Sequence, residues 1–269
     1  MAMRLVKHLT PEMLVFLDAG FFGYPLLRQI MSSGAQFLVN VSSTPLLDPI
    51  RELSDGSYLT KIYPTVQDRK HDRRGRIVRV LRYTIDDPQR TGHGEVHRLV
   101  TTLLDEIQFP AKELVVLYHE RWEVELTYDE QKNHQDPRRP TKATHLRSET
   151  PAGVVQELYA LSLAHFVVRR AIFDAATQEG EDPDRLSFTG AIQILRTRLP
   201  ECPTACPIEI MRWYQNVLTE LVTEKVEPRR NRINPRVVKH ARCKWPSKKP
   251  EHYRVPPLRK PFDETVILK

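Results

Sequence analysis

The sequence predicts an α/β fold: a parallel strand–helix–strand start, a β-rich insertion over about residues 43–110, and a helical, basic C-terminal region. Three observations predict it. Met13–Leu17 and Gln36–Val41 are short apolar runs with an amphipathic stretch between them, the pattern of a βαβ unit. Residues 56–102 hold three runs rich in β-branched and aromatic residues, set off by Gly-containing turns. From residue 111 onward the apolar residues recur mainly at helical spacing.

In chain order, Met13-Leu14-Val15-Phe16-Leu17 is a continuous apolar run ended by Asp18-Ala19-Gly20. It predicts a strand buried on both faces. Phe22–Ser32 predicts a helix, and Gln36–Val41 a second strand parallel to the first. Asp18 then stands at the carboxyl end of a parallel strand, where open α/β sheets place their ligands. Gly56–Tyr63, Arg76–Tyr83 and Glu95–Thr102 predict a small antiparallel module inserted into the α/β domain. Residues 111–133 predict one helix that packs on the sheet through Leu117, Val124 and Tyr128. Residues 151–178, Phe188–Leu199 and Ile208–Lys225 predict further helices, the first beginning at Pro151 and carrying an apolar face. These elements divide into a domain over residues 1–180 and a helical region over 181–269.

The helix at 111–133 carries the chemistry. On a wheel of about 100° per residue, with Tyr118 at zero, Arg121 falls near ~300°, Glu125 near ~340° and Lys132 near ~320°. All four share a stripe of roughly 60°. A carboxylate among two cations and a phenol is equipment for holding a metal and a phosphate together. The bland alternative is a solvated helix face with i,i+4 ion pairs. Asp18 likewise has a bland alternative as a turn or N-cap residue. Asp129 reads as an accessory acid or an ion-pair partner, and Trp122 as packing or a stacking platform for a base.

Charge is uneven along the 269 residues. Net charge is +7, and residues 225–260 hold 13 Lys or Arg against Glu227 and Glu251. That stretch is a candidate for nucleic-acid contact. A second cluster runs from Arg69 to Arg82, with seven Lys or Arg against Asp72 alone. It reads as a DNA-tracking ribbon or as an exposed face of alternating charge. Three cysteines do not make a disulfide framework and fit a reducing cytoplasm. Cys202-x3-Cys206 with His240-x2-Cys243 is a loosely spaced zinc candidate in Pro-rich surroundings. No apolar run is expected to reach membrane-spanning length, and the first residues carry no signal-peptide pattern.

The spacing Tyr118-x2-Arg121-x3-Glu125-x6-Lys132 resembles the signature of insertion-sequence DDE transposases of the IS-four family. Leu17-Asp18-Ala19-Gly20-Phe21 resembles the segment around that family's second catalytic Asp. The two come in the family's order with a β-rich insertion between them. The resemblance covers about residues 10–200, and a basic tail is compatible with it.

The resemblance implies an RNase H-like core, here incomplete. It implies metal-dependent cleavage and strand transfer on double-stranded DNA, at transposon ends and at target DNA. Two divalent ions, Mg2+ or Mn2+, serve the full family site, held by two Asp and one Glu. Carried over, Asp18 and Glu125 are metal ligands, Arg121 and Lys132 grip phosphates, and Tyr118 orients the DNA backbone. A homodimer in a paired-end complex and a cytoplasmic, nucleoid-associated location follow from the same resemblance. Only 17 residues precede Asp18, and Glu12 is their sole acid. The family's first catalytic Asp therefore has no counterpart here. The sequence reads as a truncated copy, inactive by itself in strand cleavage, with an unpaired edge left on the Leu14–Leu17 strand. A non-catalytic DNA-binding remnant is the rival reading.

Overall fold

The computed structural model describes residues 2–90, 92–135, 146–226 and 260–269. They form two compact units, Met1–Arg121 with Lys260–Lys269, and Trp122–Arg259. The division falls inside the predicted 111–133 helix, not near residue 180.

The first unit is built on one mixed sheet. β1 (Leu14–Leu17) and β2 (Gln36–Asn40) are parallel, joined through α1 (Tyr24–Ser32) as the βαβ pattern predicts. β3 (Arg51–Glu52), β4 (Tyr58–Ile62), β5 (Arg76–Ile85) and β6 (His97–Thr101) pair antiparallel, with a short α2 (Val66–Lys70) between β4 and β5. The strand order is β1-β2-β6-β5-β4-β3. The insertion is therefore not a separate module. β6 pairs with β2, Val39 opposite Val100, and extends the same sheet. The cause lies in β6 itself: Leu99 and Val100 point to opposite faces and are both fully buried, which requires a strand covered on both sides.

The two faces have separate cores. Leu27 and Ile30 of α1 pack with Phe37, Val39, Val78, Val80 and Val100 of the sheet. Leu38, Leu81, Tyr83 and Leu99 pack on the other face under α3 (Ala111–His119), through Leu114, Val115 and Tyr118. The chain's last residues complete this second layer. α8 (Phe262–Thr265) and β7 (Val266–Leu268) return to unit 1, where β7 pairs antiparallel with the end of β5 and Phe262 lies in the core. β1 is only partly buried along its whole length. The expectation of a strand buried on both faces fails because β1 stands at the sheet's edge, while β2 inside it has Phe37, Leu38 and Val39 fully buried.

The single helix predicted over 111–133 is three elements. α3 ends at His119, where Glu120 and Arg121 donate to the carbonyls three residues back, Leu117 and Tyr118. Such tight bonds close a helix end. α4 (Trp122–Asp129) follows, then a π-helical turn over Glu130–His134. The wheel that put four residues on one stripe does not survive this break and the change of pitch. Leu117, Val124 and Tyr128, predicted to pack on the sheet, are exposed.

The second unit is helical. α5 (Pro151–Glu179), α6 (Phe188–Arg198) and α7 (Pro207–Leu221) share a core of Ala171, Ile172, Ala175, Ile192, Val217 and Leu221. Thr150 caps α5 and Ser187 caps α6, each accepting from the backbone N–H three residues on. Gly180, at φ 66°, ends α5 in the left-handed conformation that glycine adopts without penalty. The predicted apolar face of α5 is buried only toward its C-terminal end; Val155, Leu158, Leu163 and Val167 are exposed. By length and composition alone α5 is apolar enough to cross a bilayer, which corrects the expectation that no run reaches that length. Most of the basic stretch 225–260, with His240 and Cys243, lies outside the described residues; Cys202 and Cys206 are free.

Candidate active site

Three of the five predicted site residues meet in unit 1, at the carboxyl end of β1. Asp18 caps a short 3-10 turn (Ala19–Phe21), yet its side chain makes no capping hydrogen bond. Its carboxylate instead faces Arg121. Arg121 Nη1 donates to Asp18 Oδ2 at 3.3 Å, and Nη2 stands 3.3 Å from Oδ1. The pair is parallel and two-pronged but long, and the Asp18 side chain is 54% exposed against 19% for Arg121.

Tyr118 locks this corner from inside. Its hydroxyl donates to the Leu17 carbonyl at 2.9 Å, its ring meets Phe16 edge-on at 6.3 Å, and the Arg121 guanidinium lies 5.9 Å from its centroid. Burial pushes the Tyr118 phenol up, with Arg121 pulling the other way and Asp18 adding to the rise. The phenol therefore stays protonated near neutral pH and remains a donor. The buried ring, expected to face DNA, spans from α3 to the last residue of β1.

α3 is set in place at its other end by a second acid–arginine pair. Arg79 on β5 is fully buried and pairs with Asp55. Its Nε donates to Ser57 Oγ at 2.7 Å and its Nη1 to the Phe109 carbonyl at 2.7 Å. Asp55 Oδ2 also accepts from the N–H of Ala111, the first residue of α3, at 2.9 Å, which favours a helix N-terminus by charge as well as by bonding. Sequence reasoning missed this device. It read the Gly-containing segment before β4 as a plain turn, and Arg79 as part of a DNA-tracking ribbon or of an exposed face of alternating charge. The seven cations of that ribbon divide: Arg79 is buried, Arg69 and Arg74 pair with Asp48 and Asp68, and Lys70, Arg73, Arg76 and Arg82 are exposed.

The other two predicted residues lie in unit 2. Glu125 on α4 and Lys132 in the π-helical turn are both exposed. That stretch is tied down by Glu130, which is buried. It accepts from Arg169 Nε at 2.9 Å and lies 3.0 Å from His165 Nε2, both on α5. Phe188 covers the group, 5.2 Å from the His165 ring and 5.6 Å from the Arg169 guanidinium. No sequence pattern marked Glu130 as the anchor; only the carboxylate's burial does. Asp129, read as an accessory acid, accepts from Asn133 at 2.6 Å and lies 3.1 Å from His134 Nε2. Trp122 is exposed.

Residues 2–167 match the family described as the transposase DDE domain, more than half of the chain. The chain belongs to the DDE transposase family. It is also 30% identical, over 251 residues, to the transposase InsG for insertion sequence element IS4 of Escherichia coli strain K12. The alignment covers 92% of this chain and 55% of that protein, so the chain spans about half the length of the curated relative it matches. The grouping read from the Tyr-Arg-Glu-Lys spacing and Asp18 is thereby borne out.

DDE transposases imply a divalent metal, and the residues can be tested for fit. Asp18 suits magnesium in kind: a hard oxygen donor, half exposed, offset only by a long ion pair. Among the described residues, however, no three His, Cys, Asp or Glu side chains come together. Asp18 is a donor of the kind a divalent ion takes.

Proposed function

We propose that this chain is a DNA-acting portion of an insertion-sequence transposase, with an RNase H-like core, whose chemistry is metal-dependent phosphodiester cleavage and strand transfer at element ends. The observation that carries the proposal is the Asp18 corner: a family-type acid at the carboxyl end of a parallel strand, with the Tyr and Arg of the signature bound against it. In this reading Asp18 and Glu125 are the ligands of a Mg2+ or Mn2+ ion, which when bound polarises the scissile phosphate and its attacking oxygen. Arg121 moves from Asp18 to a DNA phosphate, which its planar fork matches in two-pronged fashion. Lys132 contributes a point charge to the same strand. Tyr118 acts from behind, holding the end of β1 so that Asp18 keeps its direction. The partners are duplex DNA and a second transposase copy in a paired-end complex, on chromosomal DNA in the bacterial cytoplasm.

The absence of a three-acid cluster among the described residues favours weak cleavage by this chain alone, and keeps a second reading, DNA binding without chemistry, in play. Two measurements separate them. Mn2+ titration followed by electron paramagnetic resonance should show one weak site in the wild type, lost in Asp18→Asn and in Glu125→Gln. A cleavage assay on element-end duplex with magnesium should give little or no product. Unchanged Mn2+ binding in both variants would refute the ligand assignment and leave the DNA-binding reading. Robust turnover that survives Asp18→Asn would sink the active-site assignment itself.

A further inference from the structure

Away from Asp18, on the α1 side of the sheet, two arginines face each other across β5 and β6. Arg82 and Arg98 are direct register partners. Like charges placed opposite on adjacent strands destabilise a sheet, and neither guanidinium has a carboxylate partner among the described residues. Both line an open cleft of about 380 Å³, closed on one side by the loop 43–49 that follows β2. Arg98 is fixed there by that loop, its guanidinium donating to the carbonyls of Pro45, at 3.1 Å, and Ser42. Arg82 lies 5.3 Å from the ring centroid of Tyr58, which also lines the cleft. Burial pushes the Tyr58 phenol up, against the opposing pull of the two arginines; at neutral pH it is a hydroxyl donor. The cleft's acid, Asp48, is already held by Arg69.

A cleft with two arginines at close quarters, one stacked and one tethered, with N–H groups to spare, is short of an anion. We propose that it takes a phosphate-type oxyanion, and that on the proposed function this oxyanion is a backbone phosphate of duplex DNA, contacted away from the Asp18 corner. The anion bridges the two guanidinium forks and removes the repulsion between β5 and β6.

The test uses the full chain, wild type and Arg82→Gln; Arg82 is exposed and, among the described residues, its side chain makes no hydrogen bond. Thermal unfolding is followed in inorganic phosphate and in chloride at equal ionic strength. The wild type should melt higher in phosphate than in chloride. Arg82→Gln should lose that difference and, in chloride, melt no lower than the wild type, because one of two facing charges is gone. Anisotropy titrations of a labelled duplex across a salt series give the second arm. The variant's log–log salt slope should be shallower by about 0.9, the loss of one phosphate contact. A wild type indifferent to phosphate, or an equal phosphate shift in Arg82→Gln, overturns the site. A phosphate shift that depends on Arg82 with an unchanged DNA slope overturns the DNA assignment and leaves a free-phosphate site. If the wild type binds no duplex at all, the proposed function and the DNA half fall together, while the melting data alone still decide whether the cleft takes an oxyanion.

Discussion

The two ends of α3 carry the same chemistry in opposite settings. Before its first turn, Asp55 and Arg79 pair with the guanidinium fully buried and the carboxylate mostly covered, their other donors and acceptors spent on Ser57, Phe109 and Ala111. Beyond its last turn, Asp18 and Arg121 form a long pair with the carboxylate half in water. The first pair cannot exchange partners without leaving a charge in the core. The second is open on its acid side, where water reaches the Asp18 carboxylate. One carboxylate–guanidinium pair therefore fixes where α3 starts, and the other leaves the Asp18 carboxylate open to solvent beyond the end of α3.

The largest expected effect tests the buried end. Asp55→Ala leaves Arg79 uncompensated and should lower the unfolding free energy by about 3–5 kcal/mol, read from urea denaturation. A cost no greater than that of Asp18→Ala would erase the contrast. The same carboxyl gives a pH signature. Burial acts to raise its pKa, but hydrogen bonds from Ser57 and Ala111 and the charge of Arg79 outweigh it and hold it below the ordinary carboxylate range. A depressed folded-state value contributes stability above the unfolded value, about 3.9, and that stability is lost as pH falls through the folded value. Stability of the wild type should thus decline on acidification below about pH 4, and more steeply than that of Asp55→Asn.

A middle-sized effect belongs to Tyr118. Tyr118→Phe strands the Leu17 carbonyl and should cost about 0.5–1.5 kcal/mol in the same denaturation experiment. An unchanged midpoint would mean that the phenol does not hold β1. The smallest stability effect is expected at the open end. Asp18→Ala should change unfolding by less than about 1 kcal/mol, while abolishing Mn2+ binding. If it destabilises as much as Asp55→Ala, the Asp18 corner is a structural clamp and not a site.

How far these features were legible in the sequence differs by type. The parallel β1–α1–β2 unit, the antiparallel pairing of β4, β5 and β6, and the starts of α5 and α6 were readable from apolar period and from Pro151. The spacing shared with a family marked Asp18, Tyr118 and Arg121 one by one, but not that Arg121 pairs with Asp18. The break at Glu120 was not readable, because the helical period runs through 111–133 without a Gly or Pro to interrupt it. Nor was the separation of Arg79 from Arg82. They sit three residues apart on one strand, hence on opposite faces, and only the layer covering each face makes one a core residue and the other a cleft residue.

By itself, then, the sequence determined the order and kind of the elements, the acids and bases available, and the family to which they belong. These are local quantities, set by side-chain period, turn chemistry and spacing along the chain. Only the tertiary structure decided that the insertion continues the main sheet through β2 and β6, that the last residues return to pair with β5, and which charges lie buried. Burial depends on what folds over a residue from 60 or more positions away, as with Phe37 beside Thr101, and no local pattern encodes that partner.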